Sequence, residues 1–250
     1  MSRKGEEREP SLYLIIREDV ALSRAGLATV AAQAAWRVLR AARMNAPDRF
    51  DAYELAPARA TIALRAPDAA TIDRATAAAE GVRVPNASIA HAGVPVAAGI
   101  GPVARSDVPA VIQRLQMLSD RPQPGPCIVT SPMERLSDTG LWLVVRNDIE
   151  IPRGKLAAQA AHSCWTALKG DLSRSVPWEA AGLPVRVRGA DPATLISAHL
   201  AAQREGLPTS LIADVRRIVF GDSAVTVLGI GPATLDDVPA ILLTLQRLNG

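Results

Sequence analysis

Arg153-Gly154-Lys155-Leu156-Ala157-Ala158-Gln159-Ala160-Ala161-His162 follows a strand-like run, Leu141-Trp142-Leu143-Val144-Val145-Arg146, and a turn built on Asn147-Asp148 and Pro152. A strand, a short turn and an alanine-rich helix start is the opening of an α/β unit. If the helix begins near Gly154, then Lys155, Gln159 and His162 recur at i, i+4 and i+7 and share one face. Leu156, Ala160, Cys164 and Leu168 form the opposite face, small enough to lie close on a sheet. Unpaired N–H groups at the helix start, with Arg153 and Lys155 beside them, make a seat for a phosphate or a carboxylate. The alternative is a solvated surface face with His162 half-buried.

The same pattern occurs twice. Leu12-Tyr13-Leu14-Ile15-Ile16-Arg17-Glu18-Asp19-Val20 matches Leu141 to Ile149 at a shift of 129, and the shift holds without a gap until Trp36 meets Trp165. Gly99-Ile100-Gly101-Pro102 meets Gly229-Ile230-Gly231-Pro232, and Asp107-Val108-Pro109-Ala110 meets Asp237-Val238-Pro239-Ala240, both at 130. Two repeats of this length are domains rather than solenoid units. The reading is therefore residues 11–118, a Pro-rich linker at 119–138, and 139–250, after a disordered start at 1–10.

In the second repeat, strands are expected near 141–146, 184–188, 209–213 and 225–230, and helices near 154–169, 193–205 and 238–248. The fold class is α/β: two tandem domains, each a four-stranded mixed β-sheet flanked by α-helices. The two Gly-Ile-Gly runs lack the third glycine of a dinucleotide fingerprint and read as strand ends.

Of 250 residues, 48% are hydrophobic and only 3% aromatic, so the cores are built from Ala, Val, Leu and Ile. A net charge of +3 is compatible with a polyanionic partner without demanding one. Lysine occurs only at Lys4, Lys155 and Lys169, so Lys155 stands out against an arginine background. Cys127 and Cys164 are too few for a disulfide framework or a zinc site. His91 and His199 lack a second ligand at metal spacing, so no metal or other cofactor is expected. With no apolar signal core and no membrane-length run, the expected location is cytoplasmic.

The run Leu143 to Ile149, then Gly154-Lys155, Ala157-Ala158-Gln159 and His162, resembles the peptidyl-tRNA hydrolases of the archaeal and eukaryotic type. Leu207-Pro208, Leu211-Ile212-Ala213-Asp214 and Val225 to Pro232 continue the resemblance in the same order. It implies the same fold, and it implies Lys155, His162 and Asp214 as catalytic residues. Arg146, Arg153, Gly154, Gln159, Arg216 and Arg217 are then candidates for binding tRNA that carries an acyl or peptidyl group. Lys155, Gln159, His162 and Asp214 align with Gly26, Val30, Gln33 and His91, which makes the first repeat a degenerate copy. Members of the family are often homodimers, so the fusion reads as an intramolecular pseudo-dimer.

Where the family continues Asp-Ala-Gly-Arg-Thr, this chain has Asp214-Val215-Arg216-Arg217-Ile218. Ile218 cannot donate a hydrogen bond. That departure keeps two alternatives beside hydrolysis: acyl transfer from a charged tRNA to a small acceptor, and a non-catalytic binding module for tRNA or protein.

Overall fold

The computed structural model describes residues 9–57, 59–120, 127–128, 137–214 and 225–248. Most of the expected disordered start and most of the linker lie outside these residues. Within them, Pro10 already belongs to a strand, and Cys127–Ile128 forms a short strand inside the stretch expected to be extended.

The first repeat runs β1 (Pro10–Arg17), α1 (Arg24–Asn45), α2 (Pro47–Leu55), β2 (Thr61–Ala66), α3 (Ala69–Gly81), β3 (Asn86–His91), β4 (Val94–Ala104) and α4 (Ala110–Gln113). The second runs β5 (Gly140–Arg146), α5 (Arg153–Leu168), α6 (Ser175–Ala180), β6 (Val185–Ala190), α7 (Pro192–Arg204), β7 (Thr209–Ala213), β8 (Val225–Ala233) and α8 (Ala240–Thr244). The sheet orders are β2-β1-β4-β3 and β6-β5-β8-β7. In each, the first pair is parallel and the other two are antiparallel, giving two mixed four-stranded sheets.

The central strands are apolar at nearly every position because both faces are covered. In the first sheet Tyr13 and Ile15 point into a core shared with Ile72, Ala75 and Ala79 of α3. In the second, Trp142 and Val144 meet Leu195, Ala198 and Ala202 of α7. Both covering helices start on a capping aspartate: Asp68 accepts from Thr71 N at 2.7 Å, and Asp191 from Thr194 N at 2.9 Å.

By compactness the chain forms two units. One comprises Met1–Ala21, Gln33–Ile128 and Pro152–Ala158; the other comprises Leu22–Ala32, Val129–Ile151 and Gln159–Gly250.

Three expectations need correcting. The last helix is only Ala240–Thr244; beyond it Gly189 N donates to Gln246 O at 3.0 Å and Leu248 N to Val187 O at 3.3 Å, so the chain extends along β6 instead. Helix α6 is absent from the expected elements; its Trp178 is wholly buried and donates to Pro184 O at 2.8 Å. The Gly-Ile-Gly runs lie inside β4 and β8 rather than at strand ends. Gly101 and Gly231 there have φ of +114° and +85°, close to register shifts in the β1/β4 and β5/β8 pairing.

Candidate functional site

Strand β5 ends at Arg146, whose guanidinium forms a bidentate pair with Asp148: Nε to Oδ1 at 2.9 Å and Nη2 to Oδ2 at 2.6 Å. Arg17 and Asp19 repeat this in the first sheet at 2.7 and 2.6 Å. The pair, common to both repeats, ties the strand end to the turn that feeds the next helix. Arg146, a candidate for binding tRNA, is thus paired with Asp148.

The hydrogen bond to Arg146 holds the Asp148 carboxyl below its ordinary value of 3.8. A carboxylate whose folded-state pKa is depressed stabilises the fold above the unfolded value, and that contribution is lost as pH falls through the folded one. The Asp148→Asn variant should therefore lose less stability than the parent on acidification below about pH 4, read from thermal melts across pH 2 to 6.

Helix α5 begins at Arg153. Leu156 N donates to Pro152 O at 2.9 Å, closing the first turn. Arg153 N donates to Asp120 Oδ1 at 2.6 Å. A Cβ on Gly154 would stand 3.3 Å from Leu118 O, so the glycine permits close backbone approach. The first N–H of the helix, read as a seat for a phosphate or a carboxylate, meets a carboxylate from the same chain. Asp120→Ala should cost about 1 kcal/mol of stability, the loss typical of a helix cap, measurable by thermal or denaturant unfolding.

Lys155, Gln159 and His162 lie along α5 at the expected spacing. Lys155 and His162 are half-buried, and Gln159 is only 8% exposed. That exposure removes the solvated-face alternative for Gln159. Its Oε1 is buried and has no hydrogen-bond partner among the described residues, a condition that is uncommon for buried polar atoms. On the other face Leu156, Ala160, Cys164 and Leu168 are fully buried. Burial raises the Cys164 thiol far above its ordinary pKa, leaving it inert rather than nucleophilic.

The helix is fixed to its sheet at one close contact. Ser163 Oγ lies 2.9 Å from Ser210 Oγ, and Ser210 Oγ donates to Ser163 O at 2.7 Å. Beneath them is Gly229, where a Cβ would come within 2.6 Å of Ser163 Oγ and 2.9 Å of Ser163 O. Gly99 has the same relation to Ala34 O, at 2.7 Å.

Asp214 follows Ala213, the last residue of β7, and is half-buried. Ala213 pairs with Val225 and Val145 with Val227, so β5 and β7 finish at the same end of the sheet. The turn after β5 leads directly into α5. Asp214 thus follows the strand end that lies at the same end of the second sheet as the end of β5. In the first sheet, Gly99 pairs with Ala87 and Val94 with His91, so His91 occupies the place of Asp214. Arg216 and Arg217 lie outside the described residues. Among those residues no group of three His, Cys, Asp or Glu stands close enough to hold a metal ion.

Sequence reasoning missed Asp120, Ser163 and Ser210. Glycine at both 99 and 229 was a usable signal for close helix contact; Asp120 gave none.

The family model described as Peptidyl-tRNA hydrolase PTH2 matches residues 11–118 and again 139–248. Human "Peptidyl-tRNA hydrolase 2, mitochondrial" is 41% identical over 110 residues, covering 40% of this chain and 61% of that protein. Its bovine counterpart is 41% identical over 100 residues, covering 38% and 55%. The "Peptidyl-tRNA hydrolase" of Methanopyrus kandleri is 34% identical over 111 residues, 43% of this chain and 96% of that protein. The matched stretch thus spans less than two thirds of the mammalian relatives and nearly all of the archaeal one.

Proposed function

This chain belongs to the peptidyl-tRNA hydrolase PTH2 family, and from that membership we propose that its second repeat hydrolyses the ester joining a peptide, or an N-blocked amino acid, to the 3′ end of tRNA. The observation that carries the reading is the contrast between register-equivalent positions. Lys155, Gln159, His162 and Asp214 stand where the first repeat has Gly26, Val30, Gln33 and His91.

The ester is already activated, so three modest contributions suffice: a water must lose a proton, charge on the carbonyl oxygen must be met, and the ribose 3′ oxygen must leave. Asp214 and His162 position and deprotonate the water. Lys155 meets the developing oxyanion or the neighbouring phosphate, with Gln159, Arg153 and Gly154 lining the approach. Arg216 and Arg217, following Asp214 in sequence, add phosphate-binding charge. In this proposal 11–118 is a degenerate domain joined by the segment 119–138 to the active domain 139–250. It serves as an intramolecular partner in place of a second subunit. The protein is assigned to the cytoplasm, in keeping with its two widely spaced cysteines; no helix among the described residues is long and apolar enough to cross a membrane.

The test is release of free acid from N-acetylated aminoacyl-tRNA by the purified chain. Multiple turnovers are expected. No release, with tRNA still bound, would overturn hydrolysis in favour of a binding role, and appearance of an aminoacylated small product would establish transfer instead.

A further inference from the structure

The first repeat contains a cavity of about 330 Å³ that the proposed hydrolysis does not use. Its walls include Tyr13 and Ile62 on neighbouring strands, Leu64, and Leu115 and Met117 from the segment after α4. Arg105 and Gln113 are its polar members. A volume in this range, lined by apolar side chains together with a few polar groups, is compatible with a small-molecule site.

The second repeat shows how this space arose. Tyr13 pairs with Ile62 and Trp142 with Arg186, so Ile62 holds the position of Arg186 and Leu64 that of Arg188. Leu64 bridges to Met117 as Arg188 bridges to Arg247. In the second repeat the guanidinium carbons of Arg186 and Arg188 lie 5.5 and 5.2 Å from the centre of the Trp142 ring, cation–π contacts that place two cations against that ring. The first repeat has a smaller aromatic ring, and aliphatic side chains replace all three cations.

Two positions that are apolar in the second repeat become polar in the first. At the shift of 130, Arg105 replaces Leu235 and Gln113 replaces Leu243. Arg105 is exposed and has no ion pair among the described residues, while Asp107 accepts from Ser106 Oγ at 2.9 Å. Arg105 lies near enough to the Tyr13 hydroxyl to oppose the upward push that burial gives its pKa. The phenol remains neutral and able to donate.

We propose that the first repeat binds a small apolar monocarboxylate in this cavity, its body against Ile62, Leu64, Leu115 and Met117 and its carboxylate on Arg105. The site does not depend on hydrolysis by the second repeat.

Calorimetric titration of the full chain with octanoate, octylamine and octanol separates the contributions. Octanoate should bind saturably with one site and a dissociation constant below about 1 mM; octanol should bind at least about 10-fold more weakly and octylamine not at all, as expected if a cation sets the orientation. Arg105→Gln should weaken octanoate at least about 10-fold, and Met117→Trp should abolish binding by filling the cavity. Both positions are exposed, and an unchanged melting curve verifies each variant's fold. Equal binding of octanoate and octylamine, retained affinity in either variant, or no saturable octanoate binding would overturn the proposal.

Discussion

Lys155→Ala and Asp214→Asn should each reduce release of free acid from N-acetylated aminoacyl-tRNA by about 100-fold or more, with little change in thermal stability. The magnitude is that of removing one oxyanion donor or one general base from a preorganised site. Both side chains are half-buried at positions the first repeat fills with Gly26 and His91, so neither is required for folding. Lys155→Arg separates charge from shape: a guanidinium retains phosphate attraction but presents a planar fork where a compact ammonium stood. Partial recovery in that variant would assign Lys155 to phosphate, and no recovery would assign it to the oxyanion. Substitution of Gln33 or His91 by Ala should leave the rate unchanged. A loss there equal to that of Lys155→Ala would move the active site to the first repeat.

The helix face was legible because polar side chains at helical spacing are conspicuous in an alanine-rich background. The sheets were legible because a strand covered on both sides must be apolar throughout, as Leu141 to Val145 are. What sequence could not supply was partner identity. Arg146 has the charge of a phosphate ligand, but its chelation by Asp148 two residues on is visible only with coordinates. Asp120 meets the helix start across 33 residues of sequence, and no local pattern encodes such a contact. The final helix was overextended because Leu242, Leu245 and Leu248 mimic helical spacing. The backbone of Gln246 and Leu248 instead completes the edge of β6, where unpaired donors and acceptors were waiting. Gly99 and Gly229 were read as strand punctuation when their function is the absence of a side chain.

That absence gives the second large effect. Gly229→Ala should destabilise the second repeat by about 1–3 kcal/mol, the usual consequence of forcing atoms into a packed interior. The added carbon would sit 2.6 Å from Ser163 Oγ, 2.9 Å from Ser163 O and 2.9 Å from Ser210 Oγ. A flexible tip could rotate away, but a helix carbonyl cannot, and Ser163 and Ser210 are 0% and 4% exposed. Relief therefore requires α5 to lift from β8, breaking the Ser163–Ser210 hydrogen bonds and displacing Gln159 and His162, which flank the contact on the same helix. Gly170→Ala is the matched control, since a Cβ there meets nothing within 4 Å; it should shift stability by less than about 0.5 kcal/mol. At about 4–8 °C per kcal/mol for a domain of this size, thermal melts resolve the two variants readily. A Gly229→Ala protein that melts with the parent would mean that α5 is not held against this strand, and the fixed geometry argued for the polar face would fall with it.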